Sequence, residues 1–135
     1  SPRPYVLGMG CRRGKSLEEL EQTAFEAVSK AGIFMKDVGV LASVDLKKDE
    51  EGLRQLCRKY RFKSRFFSGE ELSAVEGDFS SSSFVAEIAG VDNVCERAAA
   101  LASEGGRLIV RKISHSGVTA AVALMDMKNM EVRFE

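Results

Sequence analysis

Apolar residues occur along this chain in two patterns, continuous runs and runs at helical spacing. Residues 5–10 and 38–44 are continuous apolar runs, which is typical of strands buried on both faces of a parallel sheet. Between them, residues 17–31 carry apolar side chains at helical spacing, and Ser16 with Glu19 three residues later forms a capping-box pattern. This order predicts a strand, a helix and a second strand.

The rest of the chain continues with alternating helices and strands. The elements that we predict are a helix over 46–60, a strand over 61–67, a capped helix start at 68–71, a polar loop over 75–83, a short helix over 84–88, a helix over 93–103 capped by Asp92, a hairpin of strands 107–113 and 118–124, and an edge strand over 130–134. Parallel strands need crossover connections, so the alternation predicts an α/β fold. We predict a three-layer α/β/α sandwich with a mixed, mostly parallel sheet closed by a C-terminal β-hairpin.

Length and charge narrow the classes of partner. The 135 residues suffice for one domain, which we expect to span residues 5–135 after a linker over residues 1–4. Because those four residues include two prolines and no initiator Met, we expect a domain cut from a longer polypeptide. Twenty basic residues balance twenty acidic ones, so no overall field recruits nucleic acid or a membrane surface.

Cysteine usage and hydropathy indicate a cellular compartment. Three widely spaced cysteines are more typical of a reducing cytoplasm than of a disulfide framework. No apolar run reaches the roughly 18 residues that a membrane helix needs, and no signal peptide is visible. We therefore expect a cytoplasmic protein. No set of side chains at metal-ligand spacing indicates a metal or another cofactor.

The segment GMGCRRGKS is a candidate anion-binding loop. It passes from a strand through glycines to the start of a helix, where free backbone N–H groups and the helix dipole attract negative charge. Basic side chains add fixed positive charge beside them. The candidate binding residues are Gly10, Cys11, Arg12, Arg13, Gly14, Lys15 and Ser16. The alternative is an ordinary tight turn with solvated arginines.

Nucleotide and thiol chemistry fit this loop less well. A Walker A loop needs a glycine five residues before Gly14, where this chain has Met9. A dinucleotide fingerprint needs a glycine at Arg13. The helix start and the arginines could lower the pKa of Cys11, but no histidine base is close in sequence. Nucleotide binding and a nucleophilic thiol are therefore weaker hypotheses.

A second group of candidates follows the second strand. Asp45 lies at the carboxyl end of that strand, where α/β sheets place ligand groups, and it could equally cap the following helix. Lys47 and Glu50 come next. His115 is interpreted as a surface turn residue, and Glu96, like Glu87, as a residue on a helix surface.

Five phrases, in this order, resemble one protein family. They are GMGCRRGKSLEEL, LASVDLKKDEEGL, FFSGEEL, VAEIAGVDNVCERAAALA and RLIVRKISHSGVTAAVAL. Together they look like the C-terminal domain of CbiG-type cobalamin-biosynthesis proteins and their free-standing relative CobE. The resemblance runs from about Val6 to Leu124. Two departures are Ser43, where the family often has Thr, and the run from Ser80 to Ser83, where it usually has a Pro-Ser pair.

The resemblance implies a role in building the corrin ring. CbiG-type proteins open a δ-lactone on cobalt-precorrin-5A and release acetaldehyde, and they carry an N-terminal region that would be a partner in the same chain. Corrin intermediates carry several carboxylate arms, which arginine binds bidentately. We expect the loop, with Lys47, Ser82 and Ser83, to bind this substrate, and Asp45 or Glu50 to orient the attacking water.

Three functions stay open at this point. The first is the corrin-binding C-terminal domain of a cobalt-precorrin-5A hydrolase. The second is a CobE-like corrinoid-binding module without chemistry of its own. The third is a small nucleotide-binding domain.

Overall fold

The computed structural model describes residues 2–80, 91–126 and 128. In order, the helices and strands of these residues are β1 (Tyr5–Cys11), α1 (Leu17–Lys30), β2 (Val38–Val44), α2 (Glu51–Tyr60), β3 (Lys63–Phe67), α3 (Gly69–Ser73), α4 (Val94–Ala102), β4 (Arg107–His115) and β5 (Val118–Leu124). Two short 3-10 helices, Met35–Asp37 and Asp45–Lys47, flank β2. The predicted elements at 84–88 and 130–134 lie outside the described residues.

The strands form one sheet in the order β3-β2-β1-β5-β4. Strands β1, β2 and β3 pair in parallel, whereas β5 is antiparallel to both β1 and β4. Helices α1 and α2 cover one face through Leu20, Leu53 and Leu56, and α3 and α4 cover the other through Leu72 and Ala98. The predicted three-layer sandwich with a mixed, mostly parallel sheet and a closing hairpin is confirmed.

Local sequence patterns set several element boundaries as predicted. Ser16 caps α1, its hydroxyl accepting from the Glu19 N–H while the Glu19 carboxylate accepts from the Ser16 N–H. Ser68 and Glu71 cap α3 in the same way. These reciprocal bonds satisfy backbone donors that a helix start otherwise leaves without partners.

The predicted helix over 46–60 is too long. Residues Asp45–Lys47 form a 3-10 turn, in which the Lys48 N–H donates to the carbonyl of Asp45, and α2 begins only at Glu51. The prediction that Asp45 caps this helix is therefore wrong, because Glu50 occupies the capping position. Gly52 fixes this arrangement, since a Cβ there would lie 2.4 Å from the carbonyl oxygen of Lys15.

Smaller boundary errors have similar local causes. The third strand begins at Lys63 rather than residue 61, because Arg61 adopts a left-handed conformation (φ 58°) that ends α2. Asn93 rather than Asp92 caps α4, its side-chain oxygen accepting from the Glu96 N–H. Strand β4 continues to His115, which pairs with Val118.

Helix α4 packs unusually close to β1. A Cβ on Gly8 would lie 2.0 Å from the carbonyl oxygen of Cys95 and 2.8 Å from the Cβ of Ala99. Only glycine leaves room for this approach, and the buried Ala98 and Ala102 continue the small-residue surface of the helix. The contact places the first two turns of α4 against the middle of β1. No helix in the described part of the chain is long and apolar enough to cross a membrane.

Candidate functional site

Three helix starts meet at one edge of the sheet. Strands β1, β2 and β3 run in parallel, so their carboxyl ends share an edge, and α1 and α2 begin there directly after β1 and β2. The first turn of α4 joins them, because the Cys95 thiol interacts with Thr119, which pairs with Gly10 at the end of β1. Helix starts carry partial positive charge, and this edge is therefore suited to anions.

The loop between β1 and α1 is held on two sides. The Arg12 N–H donates to the carbonyl oxygen of Gly117 at 2.9 Å, which ties the loop to the β4–β5 turn. On the other side, the Gly14 N–H donates to the Glu50 carboxylate at 3.0 Å. Gly14 adopts φ 75°, a left-handed conformation that favours glycine. The loop is thus a fixed turn, and Met9, at the position where a nucleotide loop would need glycine, is a buried strand residue.

Two arginines project from this turn without partners. Arg12 and Arg13 are exposed, and within the described residues neither guanidinium has a hydrogen bond or an ion pair. Lys15 pairs with Glu19 at 3.2 Å. A Cβ on Gly117 would lie 2.9 Å from the Cδ of Arg12 and 3.2 Å from the Cε of Lys15, so both side chains cross over that glycine. The fixed turn therefore presents two guanidinium groups that are available to an anionic ligand.

Three backbone donors around the start of α1 are occupied. The Ser16 N–H donates to the Glu19 carboxylate at 3.1 Å, and the Glu19 N–H donates to the Ser16 hydroxyl at 3.1 Å. The Gly14 N–H is taken by Glu50. These three N–H groups are therefore not available to an anion, whereas the exposed guanidinium groups of Arg12 and Arg13 are.

Cys11 does not have the acidic thiol that the sequence suggested. It is 2% exposed at the end of β1, and burial raises its pKa to about 11. The charges of Lys47 and Lys15 lower this pKa and that of Glu50 raises it, but all act less than burial does. The thiol is therefore protonated at neutral pH, and the prediction of a lowered pKa is wrong.

The candidates after β2 differ sharply in environment. Lys47 is 7% exposed, although lysine is rarely buried. Asp45 is exposed, and Glu50 is half-buried with its carboxylate bound to the Gly14 N–H. The effects of Lys47, Glu50 and Lys15 on the Cys11 thiol show that these three charges surround the end of β1. The structure thus brings most predicted site residues together, while Ser82 and Ser83 lie outside the described residues.

A buried carboxylate on α4 was missed. Glu96 is fully buried, and its two oxygens accept from the backbone N–H groups of Ser80 at 2.8 Å and Lys112 at 2.7 Å. Burial by itself would raise the pKa of Glu96, but hydrogen bonds from Lys112, Ser80 and Asn93 outweigh it and lower the pKa. The interpretation of Glu96 as a helix-surface residue is wrong. No local pattern signalled this role, because the two N–H donors come from Ser80 and Lys112, each 16 residues away along the chain.

Two further features were not part of the predicted site. His115 is exposed as predicted, and its Nε2 lies 2.6 Å from a carboxylate oxygen of Glu26, 89 residues earlier. A groove of about 630 Å³, lined by Phe25, Phe34 and Tyr60 among others, opens at the opposite edge of the sheet, and none of the predicted site residues lines it. Within residues 2–80, 91–126 and 128, no three His, Cys, Asp or Glu side chains could hold a metal ion.

Comparison with known proteins gives consistent results. The family model described as cobalamin synthesis G C-terminus matches residues 5–123. A cobalt-precorrin-5A hydrolase from Priestia megaterium is 35% identical over 124 residues, which are 92% of this chain and 33% of the relative. Protein CobE from Sinorhizobium sp is 31% identical over 120 residues, which are 87% of this chain and 78% of the relative.

A solved structure shows the same architecture. The crystal structure of CobE, a protein from the cobalamin biosynthetic pathway, superposes with a TM-score of 0.83 at 30% identity and covers 93% of both chains. The chain spans about a third of the length of the hydrolase from Priestia megaterium.

Proposed function

The chain belongs to the cobalamin synthesis G C-terminus family, and on that premise we propose that it binds an anionic corrin intermediate at the carboxyl edge of its sheet. The observation that carries this proposal is the pair of guanidinium groups, Arg12 and Arg13, held on a fixed turn without partners in the described residues. The family supports cobalamin biosynthesis as the process, and this geometry supports the place where the ligand binds.

The chemistry of a corrin intermediate suits this edge. Its acetate and propionate arms are carboxylates around a flat apolar ring, and arginine binds carboxylates bidentately. Lys15 and Lys47 add positive charge around the end of β1. Leu46, 67% exposed, offers an apolar surface at the same edge for the ring. The proposed binding residues are those of the loop from Gly10 to Ser16 with Lys47, and Ser82 and Ser83 belong to the same proposal.

Within a longer protein, we propose that this domain serves a cobalt-precorrin-5A hydrolase. The matching hydrolase relatives support this reading, and an N-terminal region in the same chain would complete the enzyme. Of the two candidate catalytic carboxylates, Asp45 has the more exposed side chain, whereas Glu50 already accepts from the Gly14 N–H. Asp45 is thus the better placed of the two to orient a water molecule.

A CobE-like binding module without its own chemistry is the second candidate. The observation in its favour is the match to CobE. This chain covers 78% of the length of protein CobE from Sinorhizobium sp and 93% of the chain in the CobE crystal structure. A free-standing relative of nearly the same size needs no additional hydrolase region. Acetaldehyde release from cobalt-precorrin-5A by this chain alone, or by a longer natural polypeptide that contains it, would decide for the hydrolase. Binding without release by that longest natural polypeptide would decide for the module.

The binding proposal is tested by titrating the protein with a corrinoid polycarboxylate and following absorbance. The Arg12→Ala/Arg13→Ala variant is expected to bind at least ~10-fold more weakly, since each charge-assisted contact is worth about 1.5–3 kcal/mol. The control is Lys30→Ala/Arg58→Ala, which removes the same charge from exposed residues in the last turns of α1 and α2. If both variants bind the corrinoid equally weakly, the loss of affinity reflects net charge and not the loop. If neither variant binds more weakly than the unchanged protein, the loop is rejected as the binding site.

A further inference from the structure

We propose that Lys47 is the anchor for one carboxylate arm of the ligand, at the buried end of the site. This inference rests on the proposed corrin binding and deepens it, because it assigns one fixed contact to one group of the ligand. It distinguishes Lys47 from the arginines of the loop, which lie at the exposed end.

The position of Lys47 is set by the 3-10 turn after β2. Residues Asp45–Lys47 form this turn, and the Glu50 N–H closes it by donating to the carbonyl oxygen of Lys47. The turn directs the side chain of Lys47 inwards, so that its charge acts on the Cys11 thiol more strongly than that of Lys15 does. The next residue, Lys48, is exposed. Of these two neighbouring lysines, the 3-10 turn thus buries Lys47 and leaves Lys48 exposed.

Within the described part of the chain, the ammonium of Lys47 has no partner. With 7% of the residue exposed, it has no hydrogen bond or ion pair to any described residue. Taking an ammonium group out of water without a counter-charge is costly, so buried lysines are normally paired. Among the described residues, the side-chain N or O atom that is both shielded from solvent and without a hydrogen bond is Thr23 Oγ1. Because the unpaired Nζ of Lys47 does not share this state, it keeps some contact with solvent. A ligand atom can therefore reach it.

Two carboxylates of the loop region accept from other donors. Glu50 accepts from the Gly14 N–H at 3.0 Å, and Glu19 accepts from Lys15 and from the Ser16 N–H. Neither carboxylate bonds to Lys47, which has no acceptor among the residues that the structure describes. A carboxylate from outside the chain completes the set.

Burial gives this contact a property that the arginine contacts lack. Arg12 and Arg13 are exposed, so added salt screens their attraction for an anion. Lys47 is only 7% exposed, so a pair formed by its ammonium is screened less than one formed by the exposed arginines. The arginines would attract the polyanion and Lys47 would hold one arm in place, which fixes the orientation of the ring.

The test compares Lys47→Met with the matched control Lys48→Met. Methionine keeps the length and apolar stem of lysine and removes the charge. Each protein is titrated with a corrinoid polycarboxylate and with its fully methylated, uncharged ester, and thermal unfolding is measured without ligand. For Lys47→Met we expect roughly 10- to 100-fold weaker binding of the acid, no change for the ester, and a melting temperature equal to or a few degrees above that of the unchanged protein. For Lys48→Met we expect less than about a twofold change in affinity.

The outcomes separate this inference from the function on which it rests. If Lys47→Met binds the acid as well as the unchanged protein does, while Arg12→Ala/Arg13→Ala does not, the anchor is refuted and the corrin site stands. If Lys47→Met lowers the melting temperature by more than about 3 °C, the ammonium stabilises the fold and the anchor is also refuted. If the unchanged protein binds neither probe, both proposals fail.

Discussion

Replacing Glu96 is the sharpest test of how the site is supported. Its carboxylate is fully buried and accepts from the backbone N–H groups of Ser80 and Lys112, 16 residues away on either side. One side chain on α4 thereby connects the segment before the serine run to strand β4. We predict that Glu96→Ala lowers the free energy of unfolding substantially and that Glu96→Gln lowers it by less.

The magnitude follows from the donors left behind. Each backbone N–H that loses its acceptor costs about 1–3 kcal/mol when shielded from water. Ser80 and Lys112 are only partly buried, which favours the lower half of that range. Two such donors give roughly 2–4 kcal/mol for Glu96→Ala. Glu96→Gln keeps one acceptor but turns an amide N–H₂ towards a backbone donor, for which we expect about 1.5–3 kcal/mol.

The assay is urea unfolding followed by far-ultraviolet circular dichroism, with thermal unfolding as a second measurement. For a domain of this size, the alanine variant should melt roughly 6–20 °C lower. Glu18→Gln on the exposed start of α1 is the matched control and should stay within about 0.5 kcal/mol. A loss below about 1 kcal/mol for Glu96→Ala would refute the reasoning, because the two N–H groups would then have found other acceptors.

The pH dependence gives an independent check. The pKa of Glu96 is lowered from its ordinary value of 4.5 in the folded protein, so the folded state favours the ionised form. The stability that the ionised Glu96 carboxylate contributes is therefore fully present above its unfolded pKa of about 4.5. It is lost as the pH falls through the lower pKa of the folded protein. The stability difference between the unchanged protein and Glu96→Gln should be constant above about pH 6 and shrink below pH 4.5. A difference that grows on acidification would contradict the assignment.

Two further predictions concern packing and thiol reactivity. Gly8→Ala should cost about 2 kcal/mol or more in urea unfolding, since its Cβ would lie 2.0 Å from the carbonyl oxygen of Cys95 and force α4 away from the sheet. An unchanged midpoint would mean that the helix moves freely. Burial raises the pKa values of Cys11 and Cys57 to about 11. Both thiols should therefore react with iodoacetamide at pH 8 roughly 100-fold or more slowly than in an unfolded control, as measured by mass spectrometry. Rapid alkylation of Cys11 in the folded protein would show that its thiol is not buried.

The fold was readable from the sequence where the signals are local. The strand Val38–Val44 was predicted to the residue, because Asp37 and Asp45 bound the run VGVLASV on either side. The capping pairs at Ser16 and Ser68 are each complete within four residues. Such elements need no knowledge of the rest of the molecule.

Errors arose where distant contacts decide. Residues from 46 onwards have helical spacing, but the start of α2 is set by the approach of Gly52 to the Lys15 carbonyl and by the bond from Gly14 to Glu50. Cys11 lies beside cations in sequence, yet its place in the sheet buries it, and burial determines its pKa. Both outcomes depend on which element packs on which.

The same distinction applies to the candidate site. The sequence predicted an anion loop from the cluster of arginines at a helix start, and the structure keeps Arg12 and Arg13 without partners in the described residues. It also shows that Glu19 and Glu50 occupy N–H groups that an anion would otherwise use. A compact anion that needs several converging N–H groups, such as a phosphate, therefore cannot use those of Gly14 and Ser16. A ligand with several carboxylates on flexible arms can reach separate cations instead, and this difference favours a corrin polyacid over a nucleotide at this edge of the sheet.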